Sequence, residues 1–217
     1  MTVRTKVCGF TRPQDAAAAA ALGVDAIGLV FYAPSPRNVT VAQAQAIIAS
    51  LPPFVTVVAL FVNPSEHEVQ QVLADCAIDV LQFHGEESPA FCRSFQRPYL
   101  KAVRVRPGMD LAAYAANYSD ARGLLTDAFV EGAHGGTGAV FDWTLIPDKL
   151  PLPLILSGGL DAANVADAVA RVRPAAVDVS SGVEAGKGIK DPVRVAAFVA
   201  AVRQGEISIV QGADLAL

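Results

Sequence analysis

The sequence predicts an α/β fold in which eight strand–helix units close into a single (β/α)8 TIM barrel. Short runs rich in β-branched residues alternate eight times with Ala-rich helical stretches along the 217 residues. Successive runs start about 20 to 30 residues apart, close to the minimum for a strand, a helix and two short loops. The starts lie near Val3, Asp25, Val55, Ile78, Pro98, Arg122, Leu152 and Ala175. So uniform a repeat favours a closed barrel over an open doubly wound sheet.

The predicted strands are apolar on both faces, as strands buried between helices and a barrel interior must be. The runs Ala26–Phe31 and Val55–Val62 show this most clearly. Hydrophobic residues make up 53% of the chain and the mean hydropathy is +0.39. Parallel sheets covered on both sides need such a composition.

Four predicted helices begin with a capping or first-turn signal. These are Thr11 ahead of Pro13, Ser65 with Glu68, Asp161 before a helix from Ala162 to about Arg171, and Asp191 ahead of Pro192. Side chains of these types satisfy the free N–H groups of a first turn, and proline suits the first helical position. No linker divides the chain, so we expect one barrel domain over residues 1–204 and a C-terminal tail over residues 205–217.

Charge and apolar patterning exclude several classes of partner. The net charge is −4, the pI is about 5.3 and no run of Lys or Arg occurs, which argues against a nucleic-acid-binding protein. The uncharged apolar run over residues 16–24 is too short to span a membrane, and no signal peptide is evident. Three cysteines do not form a disulfide framework, so we expect a cytoplasmic protein. A lone barrel domain is compatible with a monomer.

Polar, Gly-rich or reactive residues follow nearly every predicted strand. They are Cys8-Gly9, Ser35-Pro36-Arg37, Asn63, His84-Gly85, Arg104, Asp127, Ser157-Gly158-Gly159 and Ser180-Ser181-Gly182. The carboxyl ends of all eight strands open on one face of a barrel, where active sites are built. The sequence therefore predicts an active site at that face.

The two Gly-rich loops after strands seven and eight predict a phosphate site. Glycines allow backbone N–H groups to approach phosphate oxygens, and a following helix adds its positive amino end. Barrels often bind phosphate between these two loops. We expect Gly158, Gly159, Ser181 and Gly182 to form the site, and a small phosphorylated molecule to be the ligand.

Cys8 and Asp127 are the residues with the clearest potential for proton transfer. Cys8 ends the first strand, where a thiolate could act as base or nucleophile. Asp127 ends the sixth strand, where an apolar environment would favour its protonated form. The two strands are not adjacent, so the two groups can face a small substrate from different sides.

Several motifs in order along the chain resemble those of the phosphoribosylanthranilate isomerase family. They are Lys6-Val7-Cys8-Gly9-Phe10-Thr11, Ser35-Pro36-Arg37, Gln82-Phe83-His84-Gly85, Thr126-Asp127, Gly135-Gly136-Thr137-Gly138, Leu156-Ser157-Gly158-Gly159-Leu160 and Asp178-Val179-Ser180-Ser181-Gly182-Val183-Glu184. The resemblance implies an Amadori rearrangement in tryptophan biosynthesis that uses neither metal nor organic cofactor. It implies that Asp127 is the general acid and Cys8 the general base.

The same resemblance implies substrate-binding roles for three further residues. Arg37 is expected to hold the anthranilate carboxylate, a task that suits its donor fork. His84 and Asp178 are expected to position the substrate rather than to transfer protons. Residues 132–138 are rich in glycine and are expected to act as a lid.

Three other functions are compatible with parts of the pattern. The related isomerase of histidine metabolism carries Asp in place of Cys8, and an enzyme acting on both substrates would share that Asp. A non-catalytic phosphate-binding barrel would lose its acid or its base. An indole-forming synthase would need a lysine at a strand end, a position that Lys149, Lys187 and Lys190 do not occupy. The three histidines show no metal-ligand spacing, so no metal is expected.

Overall fold

The computed structural model describes residues 2–128 and 141–214, with side chains as far as residue 209. Over these ranges the chain forms the closed (β/α)8 barrel that the sequence predicts. Every strand is parallel to its neighbours, and β8 pairs with β1 along Arg4–Val7 and Ala176–Val179. This last pairing leaves the sheet without a free edge. The eight strands are β1 (Arg4–Cys8), β2 (Ala26–Phe31), β3 (Thr56–Phe61), β4 (Val80–Phe83), β5 (Tyr99–Val105), β6 (Gly123–Ala128), β7 (Leu154–Leu156) and β8 (Ala176–Val179).

Seven α-helices of the described residues surround the barrel. They are α1 (Pro13–Ala21), α2 (Val41–Ala49), α3 (Glu66–Asp75), α4 (Pro89–Ser94), α5 (Leu111–Asn117), α6 (Val165–Val172) and α7 (Pro192–Asp214). Between β6 and β7 the described residues form a 3-10 helix, Trp143–Leu145. The predicted lid, residues 132–138, lies outside the described ranges. No described helix is both long and apolar enough to cross a membrane.

A short excursion follows β8 before the last helix. Ser181–Val183 form a 3-10 turn, and β9 (Glu184–Gly186) then pairs antiparallel with β10 (Ile189–Lys190). This hairpin returns the chain beside the first strand–helix loop, where Thr11 donates a 2.6 Å hydrogen bond to the carbonyl of Gly188. It therefore covers one side of the barrel mouth.

Three of the four predicted helix starts are confirmed, and one differs. Ser65 and Glu68 form a reciprocal capping box at α3, and Asp191 accepts a 2.9 Å bond from Val193 N–H at the start of α7. Pro13 opens α1 in its first turn, with Arg12 at the capping position. The carboxylate of Asp161 instead closes a turn, and α6 begins three residues later than predicted, at Val165.

The predicted boundary between barrel and tail at residue 205 is not visible in the secondary structure, because α7 continues to Asp214. Gly205 packs against α6 rather than ending the helix. A Cβ built on Gly205 would lie 2.7 Å from the carbonyl oxygen of Ala166 and 2.8 Å from the Cβ of Val169. Gly205 therefore allows the backbones of α6 and α7 to approach closely.

Alternate residues of each strand face the helices and the barrel interior. The larger core cluster joins outward residues such as Val7, Ile27 and Phe61 to the helices. The residues between them form two separate interior clusters. One is Cys8, Val30, Leu60 and Val62, and the other is Ala102, Leu125 and Ile155. Side chains at the carboxyl end of the inward rows consequently converge at the mouth.

A buried ion pair joins the loops that follow β3 and β4. Lys101 is fully buried on β5, and its ammonium donates a 2.8 Å bond to Glu87 and a 2.6 Å bond to the carbonyl of Gly85. The Glu87 carboxylate also accepts from the backbone N–H groups of Asn63 and Gly85. These contacts fix the backbone directly after His84.

We expect Gly205→Ala to destabilise the fold even though alanine is the better helix former. Its methyl group would meet the backbone of α6, and overpacking of this kind costs about 1–3 kcal/mol. Gly186→Ala is the matched control, since a Cβ there would lie 4.0 Å from Ile189 and meet nothing closer. Chemical denaturation of both variants checks this, and equal stability for the two would contradict the close packing.

Candidate active site

A pocket at the carboxyl ends of the strands contains the five predicted side chains with chemical roles. Cys8, Arg37, His84, Asp127 and Asp178 all line it. The rest of its lining consists of Val30, Tyr32, Ser35, Leu60, Val62, Ser157 and Ser180. A larger cavity lies beside the amino end of β7, against Trp143, but it contains none of the predicted site residues. The site is therefore assigned by its chemistry and not by cavity size.

Cys8 lies between an apolar wall and a pair of charged residues. Val30, Leu60 and Val62 pack on one side of it, and its side chain is 5% exposed. A Cβ on Gly28 would lie 2.6 Å from the Cys8 sulfur, so the thiol occupies space that only a glycine on β2 leaves open. Nothing in the sequence pattern identified Gly28 as part of the site.

Lys6 is the charged group that bears most directly on Cys8. It lies two residues earlier on the same inward row, and its ammonium donates a 2.7 Å bond to Asp178 across the β1–β8 seam. Burial alone would lower the pKa of Lys6, but Asp178 and the Cys8 sulfur outweigh burial and raise the pKa. Lys6 is therefore a permanent positive charge beside the thiol.

Burial is the largest influence on Cys8 and raises the pKa of its thiol. Lys6 and Lys190 act in the opposite direction, while Asp178 adds to the effect of burial. The net result is a raised pKa, so the surroundings of Cys8 favour the neutral thiol at neutral pH.

His84 and Asp127 are in direct contact across the pocket. The Nε2 of His84 lies 3.2 Å from Oδ2 of Asp127, and both side chains are buried. The other carboxylate oxygen, Oδ1, accepts a 2.9 Å bond from Ala128 N–H. Behind His84, the Nε2 of Gln82 lies 3.1 Å from the histidine Nδ1. Both carboxylate oxygens of Asp127 thus have a polar neighbour, His84 at Oδ2 and the N–H of Ala128 at Oδ1.

Arg37 forms a bidentate pair with Glu184. Its Nε and Nη2 each donate a 2.8 Å bond to a different oxygen of that carboxylate. Lys190 donates a 2.7 Å bond to the same carboxylate and a 3.1 Å bond to the carbonyl of Ser180. A guanidinium has five N–H donors, so three are left over from the pair with Glu184. The pair orients Arg37 and still leaves it donors for a ligand.

The two predicted phosphate loops lie in contact. Gly158 and Gly159 have φ of 88° and 63°, in the left-handed region that glycine adopts readily. A Cβ on Gly182 would lie 2.1 Å from the carbonyl oxygen of Leu160, so the loops after β7 and β8 touch where only a glycine fits. Ser181 begins the 3-10 turn beside this contact. The two loops that carry the four residues proposed for phosphate therefore lie side by side.

Three charged groups of the site, Lys6, Glu184 and Lys190, were not predicted from the sequence. Lys6 was detectable, because inward side chains alternate along a strand and it lies two residues before Cys8. Glu184 was not, because its partner Arg37 lies 147 positions away, and Lys190 was not, because the hairpin that brings it back to Glu184 was not predicted. Within the described residues no group of three His, Cys, Asp or Glu side chains is arranged to hold a metal ion.

Comparison with known proteins points to one family. The sequence model of N-(5′-phosphoribosyl)anthranilate (PRA) isomerase matches residues 5–201. The chain is 60% identical over 209 residues to N-(5′-phosphoribosyl)anthranilate isomerase of Dechloromonas aromatica (strain RCB), covering 96% of this chain and 100% of that protein. It is 58% identical over 202 residues to the protein of that name from Pseudomonas putida (strain W619), covering 93% and 98%.

Solved structures agree with the sequence comparison. The crystal structure of phosphoribosyl anthranilate isomerase from Thermotoga maritima is similar with a TM-score of 0.85 and 38% identity, covering 93% of this chain and 99% of that one. A crystal structure of such an isomerase in complex with reduced 1-(o-carboxyphenylamino)-1-deoxyribulose 5-phosphate has a TM-score of 0.83 and 37% identity, with the same coverage. The resemblance found in the motifs is confirmed.

We expect two substitutions in the Lys6–Asp178 pair to move the titration of Cys8 in opposite directions. Lys6→Met removes a charge that favours the thiolate, so the thiolate should appear at higher pH than in the unchanged protein. Asp178→Asn removes a charge that disfavours it, so the thiolate should appear at lower pH.

Ultraviolet absorbance of the thiolate against pH measures both shifts. Subtracting the Cys8→Ser variant removes the contribution of Cys76 and Cys92, which are also free thiols. Shifts of the same sign in both variants would show that the pair does not control Cys8.

Proposed function

The chain belongs to the N-(5′-phosphoribosyl)anthranilate isomerase family, and on that premise we propose that its pocket isomerises this substrate with Asp127 as general acid and Cys8 as general base. As a member it is an isomerase of tryptophan biosynthesis. The product is 1-(2-carboxyphenylamino)-1-deoxyribulose 5-phosphate. One observation carries the assignment of roles: Cys8 and Asp127 end non-adjacent strands on inward rows and line the same pocket.

The reaction begins with proton donation by Asp127. Protonation of the furanose ring oxygen allows the C1′–O bond to break as the anilino nitrogen forms a Schiff base with C1′. The Schiff base is cationic at this stage. The inward placement of both residues fits a Schiff base bound between Asp127 and Cys8. A Cβ on Gly158 would lie 3.2 Å from Oδ1 of Asp127, so the glycine keeps side-chain atoms away from the acid.

Cys8 then removes the proton from C2′, which yields an enolamine. The raised pKa of the Cys8 thiol means that the base is largely protonated before substrate binds. A cationic Schiff base beside the sulfur favours the thiolate, as Lys6 already does, and the proton of the thiol is then released to solvent. The order of the two proton transfers therefore follows from charge: ring opening creates the positive charge that activates the base. Tautomerisation of the enolamine gives the aminoketone.

Substrate recognition is assigned to three groups of residues. Gly158, Gly159, Ser181 and Gly182 hold the phosphate through backbone N–H groups and the serine hydroxyl. Arg37, oriented by Glu184, uses its remaining donors on the anthranilate carboxylate. His84 and Asp178 are placed to fix Asp127 and Lys6, respectively, and so act on the substrate mainly through those neighbours.

The cytoplasm is the compartment this proposal entails, because the three thiols are free and the reaction belongs to amino-acid biosynthesis. Fractionation of cells expressing the protein tests that placement.

Cys8→Ser and Asp127→Asn should each lower kcat by about 10²- to 10⁴-fold, the usual range for loss of one acid or base. A fluorescence assay with phosphoribosylanthranilate generated in situ measures the conversion. Binding of the reduced product analogue should persist in both variants and serves as the control for an intact pocket. Turnover near that of the unchanged enzyme in either variant would overturn the assignment of roles.

Arg37→Ala should mainly raise KM, by about 10- to 100-fold, because it removes a charge-assisted bond to the bound carboxylate. Glu184→Gln should raise KM in the same direction and by less, since Arg37 is then present but less well oriented. Arg93→Ala is the control, because Arg93 forms an exposed pair with Asp120 far from the pocket. A collapse of kcat at constant KM in Arg37→Ala would instead place Arg37 in the chemical step.

A further inference from the structure

We propose that Gln82 is a positioning residue for the isomerisation, because its amide decides which nitrogen of His84 carries the hydrogen and thereby keeps His84 a donor to Asp127. The inference builds on the proposed role of Asp127 as general acid. It concerns a residue that the proposed reaction does not otherwise use.

The geometry of β4 places the two side chains in line. Gln82 lies on the inward row of β4 and is fully buried, and His84 directly follows the strand, two residues further on. The amide nitrogen of Gln82 lies 3.1 Å from Nδ1 of His84, and Nε2 of His84 lies 3.2 Å from Oδ2 of Asp127. The three side chains form a chain of hydrogen bonds that runs from the barrel interior to the acid.

The direction of the first bond determines the second. An amide NH2 group can only donate, so Nδ1 of His84 must accept and cannot carry a hydrogen. In a neutral imidazole the hydrogen then resides on Nε2, which donates to Asp127. The histidine is thereby restricted to one tautomer by a neighbour that never touches the substrate.

This restriction matters because the opposite tautomer would compete with the substrate for the proton of Asp127. With hydrogen on Nδ1, the free lone pair of Nε2 would face Oδ2 and accept the proton of the acid. A histidine that donates to Oδ2 cannot accept that proton. The proton of Asp127 is then directed to the open side of the carboxyl group, where the furanose oxygen is proposed to bind.

A second observation indicates that Gln82 serves orientation rather than stability. Its Oε1 is buried and has no hydrogen-bond partner among the described residues. A buried polar atom without a partner destabilises the folded state, and a leucine or methionine would fill the same position without that cost. The amide nitrogen of Gln82 bonds His84 while its oxygen has no partner, which is consistent with a residue kept for the bond to His84.

The direct test is the tautomer of His84 in the full-length protein. Imidazole ¹⁵N chemical shifts distinguish a protonated nitrogen from a bare one, and the signals of His84 are assigned by their loss in His84→Asn, since the chain has three histidines. We expect a bare Nδ1 and a protonated Nε2 at neutral pH. A hydrogen on Nδ1 would refute the proposal whatever the role of Asp127.

Two variants of Gln82 provide the functional test. Gln82→Glu presents a carboxylate that accepts from Nδ1, so the ¹⁵N signals should report hydrogen on Nδ1 and kcat should fall by roughly tenfold or more. Gln82→Met has nearly the same volume and no donor, so it should give a mixture of tautomers and a smaller loss of kcat. KM should stay within about twofold in both, because Gln82 does not touch the substrate.

The outcomes separate this proposal from the preceding one. If Asp127→Asn retains activity, the acid assignment fails while the tautomer measurement still decides the role of Gln82. If both Gln82 variants keep the kcat of the unchanged enzyme, or if KM alone changes, Gln82 does not position the acid. Should a variant fail to fold, the ¹⁵N measurement on the unchanged protein remains decisive.

Discussion

The carboxyl ends of parallel strands surround one pocket only when the sheet closes into a barrel. The pairing of β8 with β1 provides that closure. The register that places Lys6 opposite Asp178 also places their side chains on the same inward face. The ion pair of the site is therefore a direct result of the seam that completes the barrel. With the seam formed, residues from β1, β4, β6 and β8 lie around one pocket although they are spread over the whole sequence.

Burial of charge is the main energetic problem of this pocket, and the structure resolves it by pairing. Asp178 has Lys6, Glu184 has Arg37 and Lys190, and Asp127 has the Nε2 of His84 and a backbone N–H. Isolated buried charges are costly, whereas paired and hydrogen-bonded ones are tolerated. Cys8 is the exception, since it faces an apolar wall and its own burial raises the pKa. The thiol that we propose as the base therefore favours its neutral form.

The fold could be predicted because its signal is local and repeated: each strand, turn and helix start is encoded within a few neighbouring residues. The placement of Cys8 and Asp127 followed from the same rule, since strand ends can be located from the repeat. Partners across the barrel could not be predicted, because the Arg37–Glu184 pair joins residues 147 positions apart and no periodic pattern encodes it. The contact of Gly205 with α6 could not be predicted for a related reason, because it is a property of two helices together.

The contact between Gly182 and Leu160 has a consequence for anyone who would redesign this protein. The loops after β7 and β8 meet with no space for a methyl group, and the sulfur of Cys8 occupies the space beside Gly28 in the same way. Substitution of Gly28 or Gly182 alone will therefore bring a side chain into steric conflict. Gly186, in the hairpin of β9 and β10, is exposed and leaves room for a larger side chain. Redesign of the barrel mouth is consequently better begun in that hairpin than at the two crowded glycines.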